Sequence, residues 1–172
     1  MRLLRSPLLH FLVLGALLWL AHGIWQQRQA MRVPFPDAAT LARLEADWHQ
    51  AQGRVPDAAQ RAAILRAEID RRMLVAEALR RGWHRRDPTV IRRLLQDARF
   101  LKLAGPPEQQ IETAIALGLH RSDPVIARRL EERMRASVHP SATGATPHWQ
   151  ARQAAEQQLI EALRARYRVI RP

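Results

Sequence analysis

The chain has no cysteine, one tyrosine and a single lysine, Lys102, among its 28 basic residues. Without cysteine there is no disulfide framework, no thiolate metal site and no cysteine nucleophile. That absence suits an oxidising compartment without demanding one. Aromatic residues make up 5% of the sequence and glycines number seven, which disfavours a strand-rich fold. Acidic residues are scarce too: 16 against 28 basic ones give a formal charge of +12 and a pI of about 11.7. No glycine-rich phosphate loop, no Ser-His-Asp ordering and no catalytic pair of carboxylates can be read. The sequence therefore assigns no catalytic residue and calls for no cofactor.

Charge is missing altogether from one stretch. Between Pro7 and Trp25, "PLLHFLVLGALLWLAHGIW", there is no Asp, Glu, Lys or Arg. As a helix this run spans roughly 28 Å, close to the hydrocarbon thickness of a bilayer. Trp19 and Trp25 lie toward its far end, where interfacial aromatics are favoured. A cleaved signal peptide, with Ala21-His22-Gly23 as a weak small-x-small site, is the competing reading, and the length of the run favours an uncleaved anchor. Arg2 and Arg5 precede the run, while Arg28 and Arg32 flank its far side, so the positive-inside signal is partial. The expected layout is a cytoplasmic N-terminus over 1–6, a transmembrane signal anchor over 7–25 and a linker over 26–36, where "VPFP" is extended by its prolines.

Helix punctuation dominates the rest of the chain. Asp37 is placed to cap a helix carrying Leu41, Leu44, Trp48 and Ala51 on one face, ended by Gly53. Asp57 with Gln60 makes a variant of the capping box for a long helix running to about Arg81. Its expected buried stripe is Leu65, Ile69, Met73, Ala76 and Leu79, with a Glu68–Arg72 pair on the exposed side. Then "GWHRRDPTVIRRL" at 82–94 returns 36 residues later as "GLHRSDPVIARRL" at 118–130. In each copy a glycine (Gly82, Gly118) sits where a helix ends left-handed. An aspartate (Asp87, Asp123) then sits at an N-cap and a proline (Pro88, Pro124) at the first helical position. The following helices present Ile91, Leu94, Ala98 and Leu101, then Ile126, Leu130 and Met134. Each copy is an α-hairpin that cannot bury its apolar face alone, so two stacked copies are expected; the alternative is local convergence on good capping chemistry. The period is close to that of tetratricopeptide repeats, without their aromatic and small-residue pattern. Residues 139–148 read as a polar loop, and 149–172 as a last helix, with Leu159, Leu163 and Tyr167 in register, and an extended tail. The fold class expected is all-α: one transmembrane helix, a helical domain over 37–138 of two stacked α-hairpins, and a C-terminal helix.

Seven histidines, at 10, 22, 49, 84, 120, 139 and 148, include no helical i, i+4 pair of the kind that binds zinc, so no metal ligand is assigned. His84 and His120 occupy equivalent loops and read as solvated or as bonding a helix-end carbonyl; they converge only if the hairpins stack with their loops aligned. The arginines of the repeat (85, 86, 92 and 93; 121, 128 and 129) form two basic clusters. Beside a membrane anchor these suit anionic lipid head groups or acidic client segments better than nucleic acid, and no nucleic-acid partner is expected. Trp48, Trp83, Phe100, Leu119 and Trp149 are candidates for an apolar client-binding groove.

"LLRSPLLHFLVLGALLWL", "GRVPDAAQ" and "LVAEALRRGWHRRDPTVIRRLLQDARFL" together resemble the N-terminal part of membrane-anchored parvulin-type peptidyl-prolyl isomerases, whose helical region is similar to the N-terminal domain of SurA-type periplasmic chaperones. "LIEALRARYRVIRP" resembles the helix and strand that follow the isomerase domain in such proteins. The resemblance covers about residues 3–103 and 159–170. It departs where the isomerase belongs: residues 104–148 hold only Gly105, Gly118 and Gly144 and read as the second hairpin. What the resemblance implies is a noncatalytic relative, anchored in the bacterial inner membrane and facing the periplasm, that contacts unfolded or partner envelope proteins as a chaperone or assembly factor. The alternatives are a scaffold subunit bound to one membrane partner and an active isomerase.

Overall fold

A computed structural model describes residues 13–20, 22, 31–138 and 148–171. The chain divides into two compact units, 1–32 and 33–172. In the first, residues 13–20 are helical. Most of the anchor, the cytoplasmic N-terminus and the 139–147 loop lie outside the described residues. Among those described, no helix is long and apolar enough to cross a membrane.

The second unit is mostly helical, as expected, with one small addition. It opens with strand β1 (Arg32–Pro34), followed by α1 (Ala38–Gln52), α2 (Ala58–Arg80) and a 3-10 turn (Trp83–Arg85). Then come α3 (Pro88–Phe100), α4 (Pro107–Ala116), α5 (Leu119–Ser122), α6 (Pro124–Ala136), α7 (His148–Arg166) and strand β2 (Arg168–Ile170). β1 and β2 form a two-stranded sheet. The sequence reading is corrected at both ends: 32–34 is not linker and the tail is not merely extended. Backbone groups at two chain segments satisfy each other, and Val33 is buried beneath them.

The helix starts follow from local chemistry. Asp37 accepts from the Thr40 N–H at 2.8 Å. Asp57 accepts from Gln60 N–H at 2.8 Å, and the Gln60 side chain accepts from Asp57 N–H at 3.0 Å, closing the box. Asp87 and Asp123 cap α3 and α6, each with a proline in the first turn. Gly82 and Gly118 take φ of 72° and 79°, a region that an L side chain enters only with strain.

Packing shows what the 36-residue offset means. Ala78 and Ala114 are fully buried, as are Leu94 and Leu130, and Val90 and Ile126 are nearly so; each pair is one offset apart, and all six share one core cluster. Val75 and Ile111, Leu79 and Ile115, and Trp83 and Leu119 border it, again one offset apart. The repeat is thus a structural one. The units do not close as separate hairpins that then stack. α2, the first helix of one, packs mainly along α6, the second of the other, and α3 packs along α4. The units interlock, and each supplies apolar surface that the other lacks.

Three expected details change. Leu101 is 46% exposed because α3 ends at Phe100 and the chain turns away. Glu68 is buried rather than exposed and takes guanidiniums from both Arg71 and Arg72. α2 buries more than one stripe, adding Leu74, Glu77 and Ala78, because α6 and α7 both pack on it.

Candidate functional site

The polar centre of the molecule lies where the two repeat units cross. Asp87 is fully buried. Its carboxylate accepts from the N–H groups of Thr89 and Val90 at 2.9 and 3.3 Å, which is the capping role. It also accepts from Arg129 Nε at 3.1 Å and Arg133 Nη1 at 2.8 Å, both on α6 of the other unit. The exchange is reciprocal. Asp123 caps α6 and accepts from Arg93 Nε on α3 at 2.8 Å. Arg93 and Arg129 are themselves one offset apart, so each unit gives an aspartate to the other's arginine. Such exchange is the mark of a two-fold arrangement.

Burial by itself raises the Asp87 carboxyl, but the hydrogen bonds from Arg129 and Arg133, with the two N–H groups, outweigh it and bring it down to about 2. Asp123 is lowered for similar reasons: burial opposes, while the Ile126 N–H and Arg93 prevail. Arg133 does more than pair with Asp87. Its guanidinium carbon lies 5.2 Å from the centre of the Trp83 ring, and that of Arg81 lies 5.7 Å away.

The two loops that precede these caps bring His84 and His120 together. Their rings stack with centroids 4.9 Å apart and planes 24° from parallel. The solvated reading is corrected: His120 is buried and His84 half-buried, because the interlocked units bring equivalent loops together. The His84 Nδ1 atom is buried without a hydrogen-bond partner among the described residues. Arg121 Nε donates to His120 Nε2 at 3.2 Å. Arg85 sits alongside, held by a two-pronged pair with Glu112. For His84, burial, then Arg85 and Arg121, lower the imidazole pKa. For His120, burial, then His84, Arg121 and Arg85, push it down to about 4, with the Ile115 carbonyl working against them. The pair is therefore neutral at neutral pH and poorly suited to taking up a proton.

Stacked imidazoles do not make a metal site. Each nitrogen lone pair lies in its own ring plane, and two nearly parallel planes do not meet at a bonding distance from both rings. No group of three or more ligating side chains stands together among the described residues. What the centre can do is hold two units together through groups whose charge depends on pH.

A second polar lock joins α2 to the C-terminal segment. Glu77, fully buried on α2, accepts from Arg80, Arg81 and the Tyr167 hydroxyl, the last at 3.0 Å. Burial alone raises Glu77, but these donors bring it down to about 2. Burial and the facing carboxylate lift Tyr167 to about 12. Nearer the start of α2, Asp70 takes Arg164 of α7 in a two-pronged contact at 2.8 and 2.6 Å.

Of the candidate groove residues, Trp83 and Leu119 are brought together, packed against the core cluster. Trp48 is half-buried on α1. Phe100 and Trp149 stay on the surface, 86% and 64% exposed. The sequence reading missed the pairing roles of Arg93, Arg129, Glu77 and Tyr167, having placed the two arginines in basic clusters and Tyr167 in the register of the last helix. A signal for the first two was present, since they repeat at the offset of the aspartates they serve. Glu77 and Tyr167, 90 residues apart, left none.

No family model matches the chain, and no curated protein or solved structure matches it either.

Proposed function

We propose that the chain is a noncatalytic relative of parvulin-type isomerases, crossing the bacterial inner membrane once over 7–25 and displaying its helical body in the periplasm. There it holds unfolded or partner envelope proteins as a chaperone or assembly factor. The observation that carries this reading is the lock of the final helix and strand onto α2 and β1. The resemblance places an isomerase domain between the helices ending near residue 103 and the final helix and strand. Here that final helix and strand bind directly to what precedes the gap: Arg164 to Asp70, Tyr167 to Glu77, and β2 to β1. The bracketing parts make one body, and the described residues between them form helices α4, α5 and α6 of that body, which supports a relative without the isomerase domain. The exposed Trp149, at the start of α7, offers apolar surface to a client.

An alkaline phosphatase fusion after Pro172 tests the topology, and activity is expected. A photo-crosslinker in place of Trp149 tests the role in cells: a ladder of envelope proteins supports a chaperone, and one dominant band supports a scaffold with a single partner. Catalysis of prolyl isomerisation by the full chain would overturn the noncatalytic reading.

A further inference from the structure

The turn that ends α3 differs from those that end α1, α2 and α4. Gly53, Gly82 and Gly118 follow α1, α2 and α4 in the left-handed region, with φ of 69°, 72° and 79°. After α3 that conformation falls on Lys102, φ 54°, the one non-glycine with positive φ among the described residues. The Lys102 N–H bonds the Arg99 carbonyl at 3.0 Å and the Leu103 N–H bonds the Ala98 carbonyl at 2.9 Å. This is a Schellman closure, in which glycine is the low-energy choice. The chain instead spends its only lysine there, at a strained position, and strain that persists points to a use for the side chain.

The use is indicated by the neighbours. Phe100 is 86% exposed and Leu101 46% exposed. Arg99 and Lys102, both exposed, flank them. Arg92 and Gln96 continue the same exposed face back along α3. Asp97 is engaged by Arg93, and Glu108 in the first turn of α4 is the next acidic residue along the chain. The feature is a protruding apolar pair between two cations at a helix end, not a groove. A polypeptide client is gripped by a concave surface. A flat anionic surface with an apolar interior is complementary to a protruding apolar tip ringed by positive charge.

We infer that Phe100 and Leu101, flanked by Arg99 and Lys102, form a tip that docks on an anionic lipid bilayer. The apolar pair enters the head-group region and the two cations meet lipid phosphates. Phe100 then leaves the set of client contacts. The inference rests on the proposed function only for the nearness of a bilayer.

The absence of cysteine allows a clean test. In the full chain, Ala104→Cys carries an environment-sensitive fluorophore beside the tip without altering it, and Leu117→Cys serves as a control at another exposed apolar position. Vesicles of phosphatidylcholine alone are compared with vesicles containing phosphatidylglycerol, and flotation measures attachment separately. The expected result is a blue shift, with quenching by lipid-borne quenchers, for the label at 104 on anionic vesicles only. Arg99→Gln and Lys102→Gln should each weaken that response about five-fold. Lys102→Gly should weaken it likewise while raising thermal stability, which separates the lipid role from folding. A wet label at 104 on anionic vesicles, an equal response from the label at 117, or undiminished response in Lys102→Gly overturns the inference. A chain that floats with phosphatidylcholine yet keeps a wet label on phosphatidylglycerol vesicles sinks the tip and leaves the anchor standing. One that fails to float there but responds on phosphatidylglycerol sinks the anchor and leaves the tip.

Discussion

Mild acid should loosen the crossing of the two repeat units, and the stacked histidines set the size of the effect. In the folded chain His120 stays neutral down to about pH 4, whereas the unfolded imidazole takes its proton near 6.5. The folded value is depressed, so the unfolded state binds more protons through this window. Stability is complete above about pH 6.5 and falls as pH drops toward 4. Each pH unit removes about 1.4 kcal/mol per site, so His120 alone accounts for about 2 kcal/mol between pH 6.5 and 5. His84 shifts in the same direction and adds to the loss. Glu77 and Asp87, down near 2 in the fold, begin to contribute only below this range. Asp97, raised by burial, acts in the opposite sense. The assay is urea unfolding of the full chain in mild detergent, followed by far-ultraviolet circular dichroism at steps from pH 7.5 to 5. The wild-type chain should lose stability across this range, and His120→Gln should lose much less. The double variant with His84→Gln should be nearly flat. If wild-type stability holds or rises between pH 6.5 and 5, or if the double variant keeps the full slope, the stacked pair is not the acid-sensitive element.

The reciprocal bridges predict an order of losses. Asp87→Ala removes a cap and two guanidinium contacts from a fully buried carboxylate and should cost about 2–4 kcal/mol, while Asp123→Ala, with one arginine and more exposure, should cost about 1–2 kcal/mol, both read by urea unfolding. Tyr167→Phe removes a donor from the buried Glu77 and should cost about 1–3 kcal/mol; an unchanged midpoint would mean the lock on Glu77 contributes nothing. A β-carbon at Gly82 or Gly118 would meet no atom within 4 Å, so Gly82→Ala and Gly118→Ala should each cost only the left-handed strain, about 1–2 kcal/mol, and by similar amounts. Zinc should leave the melting temperature unchanged; a rise lost in His84→Gln would mean that the rings rotate out of their stack to bind it.

Capping chemistry is local, and it was legible. An aspartate before a proline, or an aspartate three residues before a glutamine, marks a helix start through contacts that span three residues or fewer. The helical class of the body and its glycine ends come from the same short-range rules, and the 36-residue repeat is written in the text itself. Burial was legible less evenly. Leu94, Ala98, Ile126, Leu130 and Met134 are buried as periodicity predicts. Leu101 is not, because a stripe says nothing about where the helix stops.

Sequence by itself determined where helices begin, where they end left-handed, and that two copies of one unit must find apolar partners. Only the tertiary structure decided which partners. Interlocking α2 with α6 and α3 with α4 turned two loop histidines from solvated side chains into a buried stack. It made cap aspartates into acceptors for arginines 30 to 46 residues away, and set Glu77 under Tyr167. Those outcomes depend on helix pairing, a property of long-range packing in which many contacts of similar kind compete. The capping contacts are settled within a single turn, by hydrogen-bond geometry that any pairing leaves intact.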